Sequence, residues 1–280
     1  MFDWLQVIAD FLTYTALGLL PESKLGSAVN FFIFDTVKIL ILLMIIIYAI
    51  TFIRSYFPPE KTKKILSHTK GNYQKELDRL IENITKEGKV PRLFLHSCCA
   101  PCSSYVLEYL SQYFEITVFF YNPNISLEEE YRKRVAEIRR LVAEMSFTHP
   151  VHIEEGTYDP QVFYEMAKGM EKVPEGGERC FKCYRLRMEE AAKLAREGNY
   201  DYFTTTLSIS PLKNAEKINE IGEELAEIYK VPHLPSDFKK KNGYKRSIEL
   251  SHEFDLYRQN YCGCVFSKRE QEEKLKQKLK

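Results

Sequence analysis

Net charge is almost missing from this sequence: 40 lysines and arginines stand against 39 aspartates and glutamates, leaving +1 over 280 residues. That balance excludes bulk attraction to nucleic acid, so any such contact has to be a local patch. No segment repeats, which excludes a repeat architecture. The first residues lack the positive start and cleavage site of a signal peptide. No cysteine is isolated either. All seven fall in three clusters, Cys98-Cys99-x-x-Cys102, Cys180-x-x-Cys183 and Cys262-x-Cys264. That sorting counts against the ordinary role of a free cysteine as a small buried hydrophobe. A disulfide framework is disfavoured too, because the chain is long and its cluster-bearing part reads as cytosolic. Apolar residues are plentiful, at 45%, enough for a core in one or two domains.

The two ends of the chain differ in kind. Residues 1–20 are mostly apolar, with Asp3, Asp10 and the single tryptophan, Trp4, and fit an interfacial or partly inserted helix that breaks over 21–26. Residues 31–53 then carry only two charges, Asp35 and Lys38, which lie three apart on one helix face and can pair or snorkel. With its flanks this run reaches the ~20 residues a bilayer requires. A buried soluble helix is the plainer alternative. Against it stands the basic stretch that follows, Arg54, Lys61, Lys63, Lys64 and Lys70 with only Glu60 opposed. By the positive-inside rule that side is cytoplasmic. The expected organisation is a membrane segment over 1–66 with one transmembrane helix at 31–53, a linker helix over 67–90, a catalytic domain over 91–267 and a charged tail over 268–280. In the linker, Leu77, Leu80, Ile81 and Ile84 share one helix face.

The N-terminal segment also resembles something known. Phe31-Phe32-Ile33-Phe34-Asp35-Thr36-Val37-Lys38, the apolar span and Arg54-Ser55-Tyr56-Phe57-Pro58-Pro59-Glu60-Lys61 are similar to the opening of an uncharacterised bacterial permease family. Such permeases have many spans. A single helix forms no transport path, so the segment reads as an anchor that ties the chain to the inner membrane, or as a relic of gene fusion or truncation.

From residue 90 the pattern alternates. Strands are expected at 90–95, 115–121, 151–155 and 202–206, with helices at 103–113, 127–144, 161–169, 184–196 and 213–229. This order implies an α/β domain with a parallel sheet covered on both faces. The loop Leu95-His96-Ser97-Cys98-Cys99-Ala100-Pro101-Cys102 then falls at the carboxyl end of the first strand, where α/β proteins place chemistry. Cys98–Cys99 and Cys180–Cys183, from distant parts of the chain, suit a four-thiolate site for zinc or an iron–sulfur cluster. Spacing alone leaves both metals open. Adjacent cysteines are uncommon in zinc ribbons, and the remaining thiols, Cys102, Cys262 and Cys264, suit a redox enzyme; both points favour iron. A bond between Cys262 and Cys264 would close a small strained ring that is easily reduced, with Gly263 supplying backbone freedom. Two unpaired buried thiols are the alternative.

His96-Ser97-Cys98-Cys99-Ala100-Pro101-Cys102, Tyr121-Asn122-Pro123-Asn124-Ile125, Arg179-Cys180-Phe181-Lys182-Cys183-Tyr184-Arg185-Leu186, Phe203-Thr204-Thr205-Thr206-Leu207-Ser208-Ile209-Ser210-Pro211 and Tyr257-Arg258-Gln259-Asn260-Tyr261-Cys262-Gly263-Cys264 follow one another as in the epoxyqueuosine reductase QueH family. The resemblance covers about residues 92–267. It implies a Rossmann-like fold of the adenine-nucleotide-hydrolase, PP-loop-like kind. No Ser-Gly-Gly-x-Asp-Ser loop follows the first strand, which counts against ATP use. The implied reaction is two-electron reduction of the epoxide of epoxyqueuosine, at the wobble position of tRNA with a GUN anticodon, to queuosine. It is the last step of tRNA queuosine biosynthesis, and its electron donor is one that no motif identifies.

The resemblance further implies that Cys98, Cys99, Cys180 and Cys183 hold a 4Fe–4S cluster and that Cys262 and Cys264 form a redox disulfide. It also implies a lone iron, for which Cys102 is the candidate ligand. His96 and Tyr261, beside metal thiols, are candidate proton donors for the epoxide oxygen, although a satisfied strand-end histidine is an equal reading of His96. For RNA the basic run 239–246 supplies Lys240, Lys241, Lys245 and Arg246 for phosphate and Tyr244 for stacking, with Arg179, Lys182, Arg185 and Arg187 in support. Tyr121 and Asn122, at the end of the second strand, are placed to hold a splayed base. The rival reading is a zinc-stabilised RNA-binding module without catalysis, colourless and with no use for Cys262 and Cys264.

Overall fold

The computed structural model describes residues 3–56 and 72–278. Contacts divide the chain into two units, 1–70 and 71–280. The boundary expected at 66 and the basic residues from Lys61 to Lys70 lie outside the described residues.

In the first unit helix α1 (Asp3–Asp10) runs into a π-helical turn (Phe11–Ala16), and a break leads to the long helix α2 (Lys24–Tyr56). Leu5, Ala9 and Thr13 are buried. The first two turns are fastened to α2 by polar side chains. Asn30 donates to Asp10 (2.8 Å), and Gln6 donates to both Asn30 and Asp10 (2.9 Å each). The run expected at 31–53 is thus the centre of a 33-residue helix. Its stretch Lys24–Tyr48 is long and apolar enough to cross a membrane, and Leu40, Met44, Ile45, Ile46 and Ile47 face outward.

The second unit is the α/β domain. After helix α3 (Tyr73–Glu87) come β1 (Arg92–Ser97), α4 (Ala100–Leu110), β2 (Glu115–Phe120), α5 (Glu128–Glu144), β3 (Val151–Glu155), α6 (Pro160–Ala167), α7 (Glu178–Glu197), β4 (Tyr202–Thr205) and a 3-10 turn (Thr206–Ile209). Helices α8 (Ala215–Tyr229), α9 (Gly243–Glu253) and α10 (Val265–Lys278) complete it. All strand pairs are parallel, in the order β3-β2-β1-β4.

Strand alternation builds the two faces. Leu93, Leu95, Ile116, Val118 and Phe120 join a core with Val106, Leu107, Leu110 and Ile138. The intervening Phe94 and Phe119 turn to the other face and meet Met188, Ala191, Ala195, Ile218 and Leu225. The edge strand β3 exposes His152 and Glu154, charged or polar punctuation that blunts a free edge.

Three expectations change here. The helix expected as a linker, α3, buries Leu77, Ile81 and Ile84 in the first core; its periodicity records packing against the sheet layer, about 1.5–3 kcal/mol for each such side chain. It starts at the Asn72 cap, whose Oδ1 accepts from Lys75 N (3.2 Å), and ends at Gly88 in the left-handed region. Helix α7 begins six residues before the expected start at 184, so Cys180 and Cys183 lie within its first turns. The basic run 239–246 flows into α9, a helix that the charge pattern concealed.

Candidate active site

Strand order reverses between β1 and β4, and the crevice outside their carboxyl ends is where open α/β sheets receive ligands. Cys98 follows β1 there. Its backbone N–H donates to Thr206 Oγ1 (3.2 Å), just past β4, and the same hydroxyl donates to Cys98 Sγ (3.4 Å). Pro101 opens α4 at its first turn, where a missing N–H costs nothing, and this delivers Cys102 back toward Cys98 and Cys99. The three sulfurs lie within 4.8 Å of one another. Hydrogen bonds from Cys102 and Cys99 hold the Cys98 thiol well below the ordinary range, whereas the bond that Cys102 gives Cys98 pushes Cys102 well up. A metal bound there would take the three sulfurs as thiolates and displace their protons.

Cys180 and Cys183 come from the start of α7. Gly177 precedes that helix, and Gly176 N–H donates to Cys180 Sγ (3.3 Å). Both cysteine-bearing helices thus present their positive ends to the thiols.

Cys262 and Cys264 arrive on a loop docked against residues 122–126. Ser126 N–H donates to Gly263 O (3.1 Å), and Asn124 Nδ2 and Arg134 Nη1 both donate to Cys262 O (3.3 and 3.2 Å). Cys262 N–H donates to Ser267 Oγ, which donates onward to Glu175 (3.1 Å each). Gly263 has φ +114°, and a Cβ there would stand 2.9 Å from Ile125. All seven cysteines are free thiols.

All seven also line one cavity with about 1280 Å³ of empty space, part of it open to solvent. Its other walls explain what it is built to hold. Five cationic side chains, Arg134, Arg179, Arg187, Lys213 and Arg258, face it with one carboxylate, Glu175. Arg134, Arg179 and Arg187 are 1–2% exposed, and each has an Nη2 without a hydrogen-bond partner. Burial pushes Lys213 down, but the thiols of Cys262, Cys98 and Cys102 outweigh it and hold the amine above the ordinary lysine range. Unsatisfied buried guanidinium N–H groups are costly. Soft sulfur donors inside a positive shell fit a metal–thiolate group that is negative overall.

Comparison with known proteins decides the family. The family profile described as Epoxyqueuosine reductase QueH matches residues 93–270. Curated proteins named Epoxyqueuosine reductase QueH are similar over most of the chain. The one from Staphylococcus epidermidis is 44% identical over 206 residues, 72% of this chain and 87% of the relative. That from Streptococcus pyogenes is 41% identical over 211 residues, 73% and 83% of the two. That from Staphylococcus aureus is 42% identical over 210 residues, 74% and 88%. The chain belongs to the QueH family.

On this QueH scaffold the residues expected from sequence divide sharply. Of the expected cluster set, Cys98 and Cys99 group with Cys102, while Cys180 and Cys183 share the cavity without joining that 4.8 Å triad. Tyr261 lines the cavity with the Arg134 guanidinium 5.5 Å from its ring centre, and burial pushes its phenol up. His96 is no proton donor. It is fully buried, Nε2 donates to the Tyr121 carbonyl (3.1 Å), and Nδ1 is left to accept from the Thr205 hydroxyl (2.7 Å). Burial first, then the nearby Arg187 charge, lower its pKa to about 3. Asn122 cannot hold a base, being 1% exposed and bonded to Ser97 O and Arg187. Tyr121 stacks on Phe119 at 5.7 Å, on the sheet rather than in the cavity wall.

The basic run is mostly neutralised. Lys241 pairs with Asp78, Lys245 with Glu249, and Arg246 with Glu108, Glu249 and Glu253. Tyr244 lines the cavity and is 37% exposed. Arg179 and Arg187, expected to support RNA contact, are interior, and Arg185 pairs with Glu224. Arg134, Lys213 and Glu175 went unread. Arg134 had a signal: it sits in the buried helical stripe of Tyr131, Val135, Ile138 and Leu141, where a charge demands a reason.

Proposed function

We propose that this chain is an epoxyqueuosine reductase. It would open the epoxide on the cyclopentane ring of epoxyqueuosine in the tRNA wobble position and leave the alkene of queuosine. Two electrons and two protons convert the epoxide to a carbon–carbon double bond and water. The observation that carries the reading is the meeting of all seven cysteines in one cation-walled cavity, in a member of the QueH family.

Cys98, Cys99, Cys180 and Cys183 would hold a 4Fe–4S cluster, and Cys102 a lone iron beside it. When bound, these groups supply electrons singly and a Lewis acid for the epoxide oxygen. The chain's own residues do the rest. Oxidation of the Cys262 and Cys264 thiols to a disulfide releases two electrons and two protons, the number the epoxide takes up, and an external donor would restore the thiols. Gly263 permits the turn that ring needs. Tyr261, whose phenol keeps its proton through the neutral range, is the proton donor in place of His96. Tyr244 at the cavity and Lys240 on the adjacent surface serve the tRNA with GUN anticodon, by stacking and phosphate contact. Lys245, Lys241 and Arg246 contribute only as far as their carboxylate partners release them.

Helix α2 would anchor the chain in the inner membrane, with the domain on the cytoplasmic face and the segment 1–66 serving no transport. If the domain from residue 72 onward, made alone, stayed in the membrane fraction, the anchor reading would fall.

The deciding experiment is anaerobic purification of the full chain in detergent, with iron, sulfide and zinc content, visible spectrum and turnover of epoxyqueuosine-containing tRNA. Brown protein with about four or five irons that forms queuosine is expected. Colourless protein with one zinc and no turnover overturns the proposal and leaves a zinc-stabilised RNA-binding module.

A further inference from the structure

The cysteines after β1 and those at the start of α7 reach the cavity from separate parts of the chain. A buried chain of side-chain hydrogen bonds runs between them. Asn122, on the loop after β2, donates through Nδ2 to the carbonyl of Ser97, the residue before Cys98 (2.8 Å). Its Oδ1 accepts from Arg187 Nη1 (3.2 Å). Arg187 donates in turn through Nε to the carbonyl of Cys183 (3.2 Å). Both side chains are about 1% exposed. Among the described residues no carboxylate pairs with Arg187, and its Nη2, in the cavity wall, has no partner. A guanidinium buried without a counterion is strongly unfavourable unless a negative group arrives to meet it.

We infer that Asn122 and Arg187 form a brace: it fixes the spacing between the Cys98–Cys99 loop and the Cys180–Cys183 turn, and it sets one permanent positive charge against the anionic metal–thiolate group. The inference rests on the iron–sulfur reading above. Arg187 is a positioning residue in this scheme, acting on the group's hold and potential rather than on the substrate. Such supporting contacts around metal ligands are worth about 10- to 100-fold in metal affinity.

The test uses the full chain, anaerobic and in detergent, as wild type, Arg187→Lys, Arg187→Met and Asn122→Ala. Three quantities are read: the rate of iron loss to a chelator, the midpoint potential, and the melting temperature of the metal-free protein. Arg187→Met removes brace and charge, so iron is lost about tenfold faster or more and the potential shifts negative. Arg187→Lys keeps the charge without the fork geometry, so iron loss quickens while the potential stays near wild type. Asn122→Ala cuts the brace and leaves the charge, with the same split. If Arg187→Met fails to fold, the other two variants decide. Wild-type iron retention and potential in every variant overturn this inference alone, as does iron loss explained wholly by a matching fall in the metal-free melting temperature. Wild-type protein without iron overturns both this inference and the reading beneath it.

Discussion

The run 239–246 and the cavity wall are both rich in basic side chains, and they differ in how far carboxylates neutralise them. In the run, cations meet carboxylates: Lys239 with Asp237, Lys241 with Asp78, Lys245 with Glu249, and Arg246 with three glutamates. In the wall, Arg134 and Arg179 each have one carboxylate partner, Glu130 at 2.7 Å and Glu270 at 3.6 Å, but backbone carbonyls take the rest of their bonding. Arg179 donates to those of Met170, Glu171 and Val173, Arg187 to that of Cys183, and Arg134 to that of Cys262. A carboxylate cancels a charge, whereas a carbonyl orients it and leaves it standing. The conspicuous basic stretch is therefore mostly spent within the fold, and of the wall arginines Arg134, Arg179 and Arg187 only Arg187 stands without a carboxylate among the described residues.

The sharpest way to break that contrast is to remove one wall arginine. Arg134→Ala strands Glu130, which is 13% exposed and 2.7 Å away, and frees the Cys262 carbonyl. Breaking a buried pair from one side costs about 3–5 kcal/mol, to be read as a shift in the urea midpoint. A loss below about 1 kcal/mol would place Arg134 with the surface cations. Next in size is Tyr244→Ala, which should weaken binding of substrate tRNA by about 1–3 kcal/mol, while Lys241→Ala, already paired with Asp78, leaves affinity nearly unchanged in a filter-binding titration.

Behind the cysteine loop, outside the cavity wall, lies a group kept neutral. His96 titrates near 6.5 when unfolded and at about 3 in the fold. Between those values only the unfolded chain takes up the proton. Stability is therefore complete above about pH 6.5 and is lost as pH falls toward 3. Denaturation across that window should steepen with acid, and His96→Asn should flatten the slope, with the buried His233 supplying what remains. The smallest effect belongs to Arg246→Ala. Its partners are exposed by about a third or more, so the loss should stay under about 1 kcal/mol and shrink with salt.

The strands were legible because their apolar runs had nowhere to go but a two-faced sheet; β3 matches its expected 151–155 outright, and the others lie within two residues. Helix α9 was not, because Lys239 to Arg246 reads as a solvated run and its burial rests on Gly243, Ser247, Leu250 and Ser251, of which only Leu250 is a large apolar residue. Cysteine spacing announced the site. It did not announce side-chain direction: His96 and Asn122 sit next to the chemistry in sequence and turn away from it into hydrogen bonds. Arg187 was readable in retrospect, since it lies four residues after Cys183 and so on the same helix face.

Helix α3 has one more consequence, for the history of the gene. It lies upstream of the residues 93–270 that the family profile matches, yet its Leu77, Ile81 and Ile84 fill the domain's core. A foreign leader joined between Ile84 and Arg92 would replace all three side chains and leave a bare apolar trough prone to aggregation. A junction that keeps this core whole falls ahead of Leu77, so the seam is set by a packed helix that lies upstream of the stretch 93–270.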